Sequence, residues 1–306
     1  MTAAPRAKAA PMHESTNRRS FLGTGSAGLA AGAIATAAAA TLVDPAKAYA
    51  QAAGTSLLRT VLDRGKLIVG TGSTNAPWHF EDESGKLTGM DITMARILAM
   101  GLFDDENAVE FVLQDPAARI PNIATGKVDI TIQFMTVTPG RAQQVAFTRP
   151  YYVEGVALLT KPGSPKEKFQ ALLDGGSGTT VSILQNVDAE PNVHLVLPQS
   201  NVLQLDTQAN VVQALEAGRA DAAAVDLSTV WWMVKRQPDR YADAGKGWFS
   251  MLYSAAMRQG DPDWLHFVDT TWNVAMFGHQ NAIFDQAVKD FFGLEPPTRT
   301  PGLPRF

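Results

Sequence analysis

Apolar positions from Leu57 onward alternate between short β-rich runs and segments with one apolar face, the pattern of an α/β protein. Ser56 before Leu57, Leu58, Val61 and Leu62 predicts a capped helix that Gly65 ends. Residues 67–70 read as a buried strand. Trp78-His79-Phe80 and Lys86-Leu87-Thr88 flank Glu83-Ser84-Gly85 as a hairpin. Asp91 is expected to cap a helix through Ile92, Ala95, Leu98 and Met100. A strand over 109–113, a helix over 117–124, a strand over 128–133 and an extended stretch over 153–160 follow.

The rhythm restarts after the linker Lys161-Pro162-Gly163-Ser164-Pro165. A helix through Phe169 and Leu172, strands over 180–184, 202–205 and 222–225, and helices over 208–217 and 228–235 form a second α/β unit. The tail, 261–292, predicts two amphipathic helices and no strand. The chain is thus expected to cross between two lobes near 151–155 and to return near 250–254. Lobe 1 takes 51–153 and 254–306, and lobe 2 takes 154–253. Two extended crossings make a hinge, and the cleft between lobes is the place for a small ligand.

The first fifty residues stand apart from this pattern. Asn17-Arg18-Arg19-Ser20-Phe21-Leu22-Gly23 resembles a twin-arginine export motif and leads into a run of Ala, Gly and Thr. That run is long enough to span a bilayer, but small residues bury little area, which makes it a poor permanent anchor. It ends at Ala48-Tyr49-Ala50, a small-x-small cleavage pattern, with Lys47 disfavouring the general secretion route. Residues 1–50 are therefore read as a removable signal that directs export to the periplasm or an equivalent space; the alternatives are an uncleaved anchor and a low-complexity tail.

Charge narrows the partners. The 306-residue chain carries a formal net charge of −4, and the signal holds five basic against two acidic residues, so removing its +3 leaves a mature chain near −7. Such a balance argues against nucleic acid. Cysteine is absent, which excludes disulfides, thiolate metal sites and a lipid-anchoring cysteine. The five histidines show no metal-ligand spacing, and no metal or other cofactor is expected. Gly70-Thr71-Gly72 follows a strand, but Asn75 and Pro77 rule out the phosphate-binding helix of a dinucleotide loop.

Several blocks, in order, resemble the extracellular polar amino-acid binding proteins that serve ATP-driven importers. They are Gly65-Lys66-Leu67-Ile68-Val69-Gly70, Gly85-Lys86-Leu87-Thr88-Gly89-Met90-Asp91, Arg119-Ile120-Pro121-Asn122-Ile123 and Gly126-Lys127-Val128-Asp129-Ile130. Most specific is Met135-Thr136-Val137-Thr138-Pro139-Gly140-Arg141 running to Pro150-Tyr151-Tyr152. Ala217-Gly218-Arg219-Ala220-Asp221-Ala222 then leads to Val225-Asp226. The resemblance implies a two-lobed periplasmic binding protein type II fold, each lobe a mixed sheet flanked by helices, joined by a two-strand hinge. It implies a monomeric, non-enzymatic carrier whose partners are a small amino acid and the permease subunits of an importer.

It also implies a site. Arg141 would take the α-carboxylate, aided by Thr136 and by the backbone at Phe134, while Asp226 would take the α-ammonium. Both ligand charges must be desolvated, and an unpaired buried charge costs several kcal/mol. Arg119 has two readings: a contact to the side-chain carboxylate of aspartate or glutamate, or a solvent-facing arginine at a helix start. Asn75 and Pro116 stand where many relatives carry aromatic rings. Gln185-Asn186-Val187-Asp188 replaces a turn that hydrogen-bonds ligand, with Gln185 as a candidate contact. A periplasmic cyclohexadienyl or arogenate dehydratase on the same scaffold is the alternative, with Glu154, Asp188 or Glu190 as its acid or base.

Overall fold

In the computed structural model, which describes residues 55–186, 189–296, 298–299 and 301, the first predicted helix is α1 (Leu57–Arg64). The Ser56 hydroxyl accepts from the Leu58 amide at 3.2 Å, and Gly65 ends the helix at φ 69°. The proposed export signal, the cleavage pattern and Asp188 lie outside the described residues.

The strands β1 (Leu67–Thr71), β2 (Thr74–Asn75), β3 (His79–Glu81) and β4 (Leu87–Thr88) lead into α2 (Met90–Phe103). Strands β2, β3 and β4 form a small antiparallel sheet of their own. Here one expectation is corrected: the N-cap of α2 is Gly89, and Asp91 is the helix's second residue, its carboxylate turned into the core. The chain enters α2 at φ 121°, and a Cβ at Gly89 would lie 2.3 Å from the Trp78 carbonyl oxygen. Only glycine fits, which fixes the entry to α2.

Next come β5 (Val109–Leu113), α3 (Arg119–Ala124), β6 (Ile130–Thr136), α4 (Pro139–Ala142) and β7 (Ala146–Phe147). The chain then passes through β8 (Tyr152–Thr160), α5 (Phe169–Asp174), β9 (Thr180–Leu184), α6 (Ala189–His194), β10 (Asn201–Leu205), α7 (Gln208–Glu216) and β11 (Ala222–Asp226). It closes with α8 (Leu227–Arg236), β12 (Ala242–Met257), α9 (Pro262–Phe277) and α10 (Ala282–Ala287).

The strand order is β10-β9-β11-β8-β12-β6-β1-β5, with β7 on β12. β1 runs parallel to β5 and β6, and β9 runs parallel to β10 and β11. Between these parallel triplets lies the antiparallel pair β8 and β12, which pairs from Tyr152 opposite Tyr253 to Thr160 opposite Ala242. These two strands carry the chain from one parallel unit to the other and back, so both α/β units share one twisted sheet. The fold is the two-lobed α/β binding-protein fold, with the crossings expected near 151–155 and 250–254 forming its central pair.

The length of β12 was not legible: 242–247 is rich in glycine and charge, yet it pairs with β8 across register shifts at 243–247 and 248–251. Glycine at φ 81° (Gly245) and Phe249 at φ 57° absorb the irregularity. The largest core packs Trp264 and Trp272 of α9 against α2, and Asp261 ties the start of α9 to the start of α1. Its carboxylate accepts from the Ser56 hydroxyl, the Leu57 amide and the Trp264 amide.

Gly89→Ala should lower stability by about 2 kcal/mol or more, since backbone rather than a movable side chain meets the new Cβ. Denaturant unfolding measures this. Gly85→Ala is the control, for although Gly85 has φ 79° nothing lies within 4 Å of its Cβ position, and its cost should be about 1 kcal/mol.

Candidate functional site

Where the ends of β6 and β11 approach, a cavity of about 230 Å³ opens between the two parallel units. Arg119, Phe134, Thr136 and Arg141 line it from one side and Asp226 from the other, with Tyr253 of β12 beside them. Five of the seven residues expected from sequence therefore share one cavity. The other two stand off it. Gln185 lines a wider adjoining pocket with Arg119 and Arg141, while Asn75 is buried behind Asp226.

Each charged group is held in a definite way. Thr138 caps the short helix α4 by accepting from the Arg141 amide at 3.3 Å, and the Arg141 Nη1 donates to the Thr136 carbonyl at 2.8 Å. Arg119 is only 6% exposed, so the solvent-facing reading of this residue fails. Its Nε donates to the Pro116 carbonyl at 2.9 Å, its Nη1 to the Gln133 carbonyl at 3.1 Å, and its guanidinium lies 5.6 Å from the Phe134 ring centre. Burial, and then the like charge of Arg141, bring its pKa down to about 10, so it remains a cation. Among the described residues no carboxylate lies within salt-bridge distance of Arg119.

Phe134 departs from expectation in one respect. Its amide N–H does not face the cavity as a donor, because it is spent on the Asp91 carboxylate at 2.9 Å. That buried carboxylate also takes the Tyr151 hydroxyl at 2.7 Å and pairs with His79 Nδ1 at 2.8 Å. His79 in turn stacks on Phe134, with ring centres 4.6 Å apart, and holds that residue at φ 35°. Burial lowers the His79 pKa, while the Asp91 partner opposes that shift. The histidine and aspartate thus form a support under the Phe134 wall.

On the far side, Asp226 is the N-cap residue of α8 by position, yet its side chain makes no capping bond. It accepts from the Tyr253 hydroxyl at 2.7 Å and from Asn75 Nδ2 at 3.5 Å. Glu154 of β8 fills the vacated role. Only 3% exposed, it accepts from the Ser228 amide at 3.3 Å and the Gly155 amide at 2.9 Å, and it takes the Ser228 hydroxyl at 2.5 Å. The Ser228 hydroxyl also accepts from Trp78 Nε1 at 2.9 Å, and the Thr229 hydroxyl donates to Asn75 Oδ1 and the Ala76 carbonyl. Both halves of the sheet are therefore hydrogen-bonded directly to each other beside the cavity.

Burial raises the pKa of Glu154, and the charge of Asp226 raises it further. Burial likewise raises Asp226, against the lowering effect of the Tyr253 hydrogen bond. Burial and like charge together therefore favour keeping Glu154 protonated. Sequence reasoning missed the roles of Tyr253 and Asp91, and it saw Glu154 only as an acid or base. The signals were present: a tyrosine in the return crossing and an acid in the outgoing one.

These acids bind protons more tightly folded than unfolded, so ligand-free stability falls as pH rises above the ordinary carboxylate range. Glu154→Gln keeps an acceptor for the two amides and removes the titrating group. It should leave stability near pH 5 little changed and raise it by roughly 1–3 kcal/mol near pH 8. Melting temperatures across that range check this.

Residues 67–288 match the model of the bacterial extracellular solute-binding proteins, family 3. The chain is 35% identical over 197 residues to the glutamine-binding protein of Geobacillus stearothermophilus, covering 64% of this chain and 74% of that one. It is 28% identical over 215 residues to the L-cystine-binding protein TcyJ of Escherichia coli (strain K12), covering 70% and 78%. Among solved structures, the ancestral amino acid-binding protein AncCDT-1, a precursor of cyclohexadienyl dehydratase, superposes with a TM-score of 0.67 at 29% identity. That match covers 78% of this chain and 100% of the other.

Proposed function

Because the chain belongs to the bacterial extracellular solute-binding proteins of family 3, we propose that it captures an acidic amino acid in the cavity between its α/β units and passes it to the permease subunits of an ATP-driven importer. Arg141, with Thr136, takes the α-carboxylate, Asp226 takes the α-ammonium, and Arg119 faces the side-chain carboxylate. The observation that carries this reading is the charge set on the cavity: two guanidiniums and one carboxylate line a space of about 230 Å³. Arg119 adds a buried cation beyond the Arg141 and Asp226 pair that meets a zwitterion, which favours a ligand with one further negative charge, as aspartate and glutamate have. The space is smaller than the ~300–1,000 Å³ of sites for drug-sized ligands and suits a single amino acid.

Relatives named for glutamine and cystine support an amino-acid ligand. The choice of an acid over glutamine rests on Arg119, whose buried cation has no anionic partner among the described residues. On this reading lobe 1 comprises 51–153 and 254–306, lobe 2 comprises 154–253, and residues 1–50 are removed after twin-arginine export, leaving a monomer outside the cytoplasm. Closure without ligand would leave the buried Arg119 guanidinium facing a drying cavity with no anion among the described residues, so the ligand supplies what the closed state lacks.

The structural neighbour described as a dehydratase precursor keeps a second reading in view. Against it, Glu154 is spent on the α8 N-terminus and does not line the cavity, and Glu190 lines only the wider adjoining pocket. A carrier returns its ligand unchanged, whereas a dehydratase consumes prephenate or arogenate.

Titration calorimetry of residues 51–306 against L-glutamate, L-aspartate and L-glutamine should give stoichiometric binding, tightest for an acid. Arg141→Ala should weaken it by about 3 kcal/mol or more, beyond a hundredfold in Kd. Undiminished binding by Arg141→Ala, or tighter binding of glutamine than of either acid, would overturn this assignment.

A further inference from the structure

Gln208 is the first residue of α7, yet it takes no part in starting that helix. The Thr207 hydroxyl caps α7 by accepting from the Asn210 amide at 3.1 Å. Gln208 is 7% exposed, and its Nε2 has no hydrogen-bond partner among the described residues. The side chain lines the cavity that Arg119, Phe134 and Asp226 line, and it also lines a neighbouring pocket beside Asn75. Buried side-chain donors are nearly always paired, because an unpaired one keeps its full desolvation cost.

Neighbouring amide oxygens already accept from other donors. Asn75 Oδ1 takes the Thr229 hydroxyl, and Gln133 Oε1 takes the Gln114 amide at 3.1 Å. The Gln208 amide is therefore open to an acceptor in the cavity it lines. Arg119, across that space, is the other donor there without an anionic partner. A glutamine opposite a guanidinium forms a pair of donors converging from opposite walls, and their shared complement is an oxygen acceptor.

We propose that Gln208 is a specificity-determining residue: its side-chain amide donates to the side-chain oxygen of the bound amino acid, opposite Arg119, and selects ligands ending in a carboxylate or a carboxamide. This rests on the assignment of the cavity as the amino-acid site and names which end of the ligand lies toward α7. A side chain without an acceptor leaves the Gln208 donor unpaired and is rejected on that ground rather than by size.

The test measures L-glutamate and L-glutamine binding by calorimetry for the wild type, Gln208→Leu and Gln208→Glu, with ligand-free melting temperatures alongside. Gln208→Leu should raise Kd about tenfold for both probes, the loss of one hydrogen bond to a charged or amide oxygen. Its ligand-free melting temperature should be no lower than that of the wild type, since a buried unpaired amide is gone. Gln208→Glu places an acceptor where the donor stood, so it should weaken glutamate at least tenfold more than glutamine, whose amide can donate back. The proposal is overturned if Gln208→Leu binds both probes as the wild type does, or if binding and ligand-free stability fall together, as for a framework residue. Wild-type protein that binds neither probe also overturns it. In that case the cavity assignment is judged separately, by whether another amino acid binds and is lost in Arg141→Ala.

Discussion

Two guanidiniums and a carboxylate facing one small cavity set the terms for everything else in this molecule. Each charge loses hydration as the walls approach, and carbonyl or hydroxyl partners restore only part of it. Arg119 is held by two backbone carbonyls and an aromatic face, and Asp226 by a tyrosine hydroxyl and an asparagine amide. These contacts orient the charges without neutralising them. On the proposed function a zwitterion with a further carboxylate completes the set, and its capture is coupled to closure.

The framework keeps those charges aimed. Asp91 spends its carboxylate on His79, Tyr151 and the Phe134 amide, which sets the strained Phe134 wall in place. Glu154 performs the parallel service on the other side. By occupying the N-terminus of α8 it leaves the true cap residue, Asp226, turned toward the cavity. Glu154 lies in β8 and Tyr253 in β12, so both crossing strands hold residues around the cavity: Tyr253 bonds Asp226, and Glu154 caps the helix that Asp226 precedes. Hinge and site are built from the same residues, and a change in one is felt in the other.

Much of this was legible in the sequence. The element order followed from periodicity and capping, and Arg141, Asp226, Arg119, Thr136 and Phe134 were placed on the cavity through a resemblance of motif blocks. What escaped had physical reasons. Asp91 looks like a helix cap because it opens an apolar-periodic run, but Gly89 at φ 121° takes that place and frees its carboxylate for the core. The first half of β12 hides behind glycine and lysine because its pairing is bulged. Gln208 reads as an ordinary helix start, and only burial without a partner among the described residues marks it. Such roles depend on contacts between residues far apart in the chain, which local pattern does not carry.

The most direct measurement is a crystal structure of the mature chain grown with L-glutamate. The expected result is one molecule in the cavity, its α-carboxylate on the Arg141 guanidinium and its ammonium on the Asp226 carboxylate, both at hydrogen-bond distance. A ligand bound with its ammonium away from Asp226, or outside the space between the α/β units, would contradict the charge complementarity on which the whole interpretation stands.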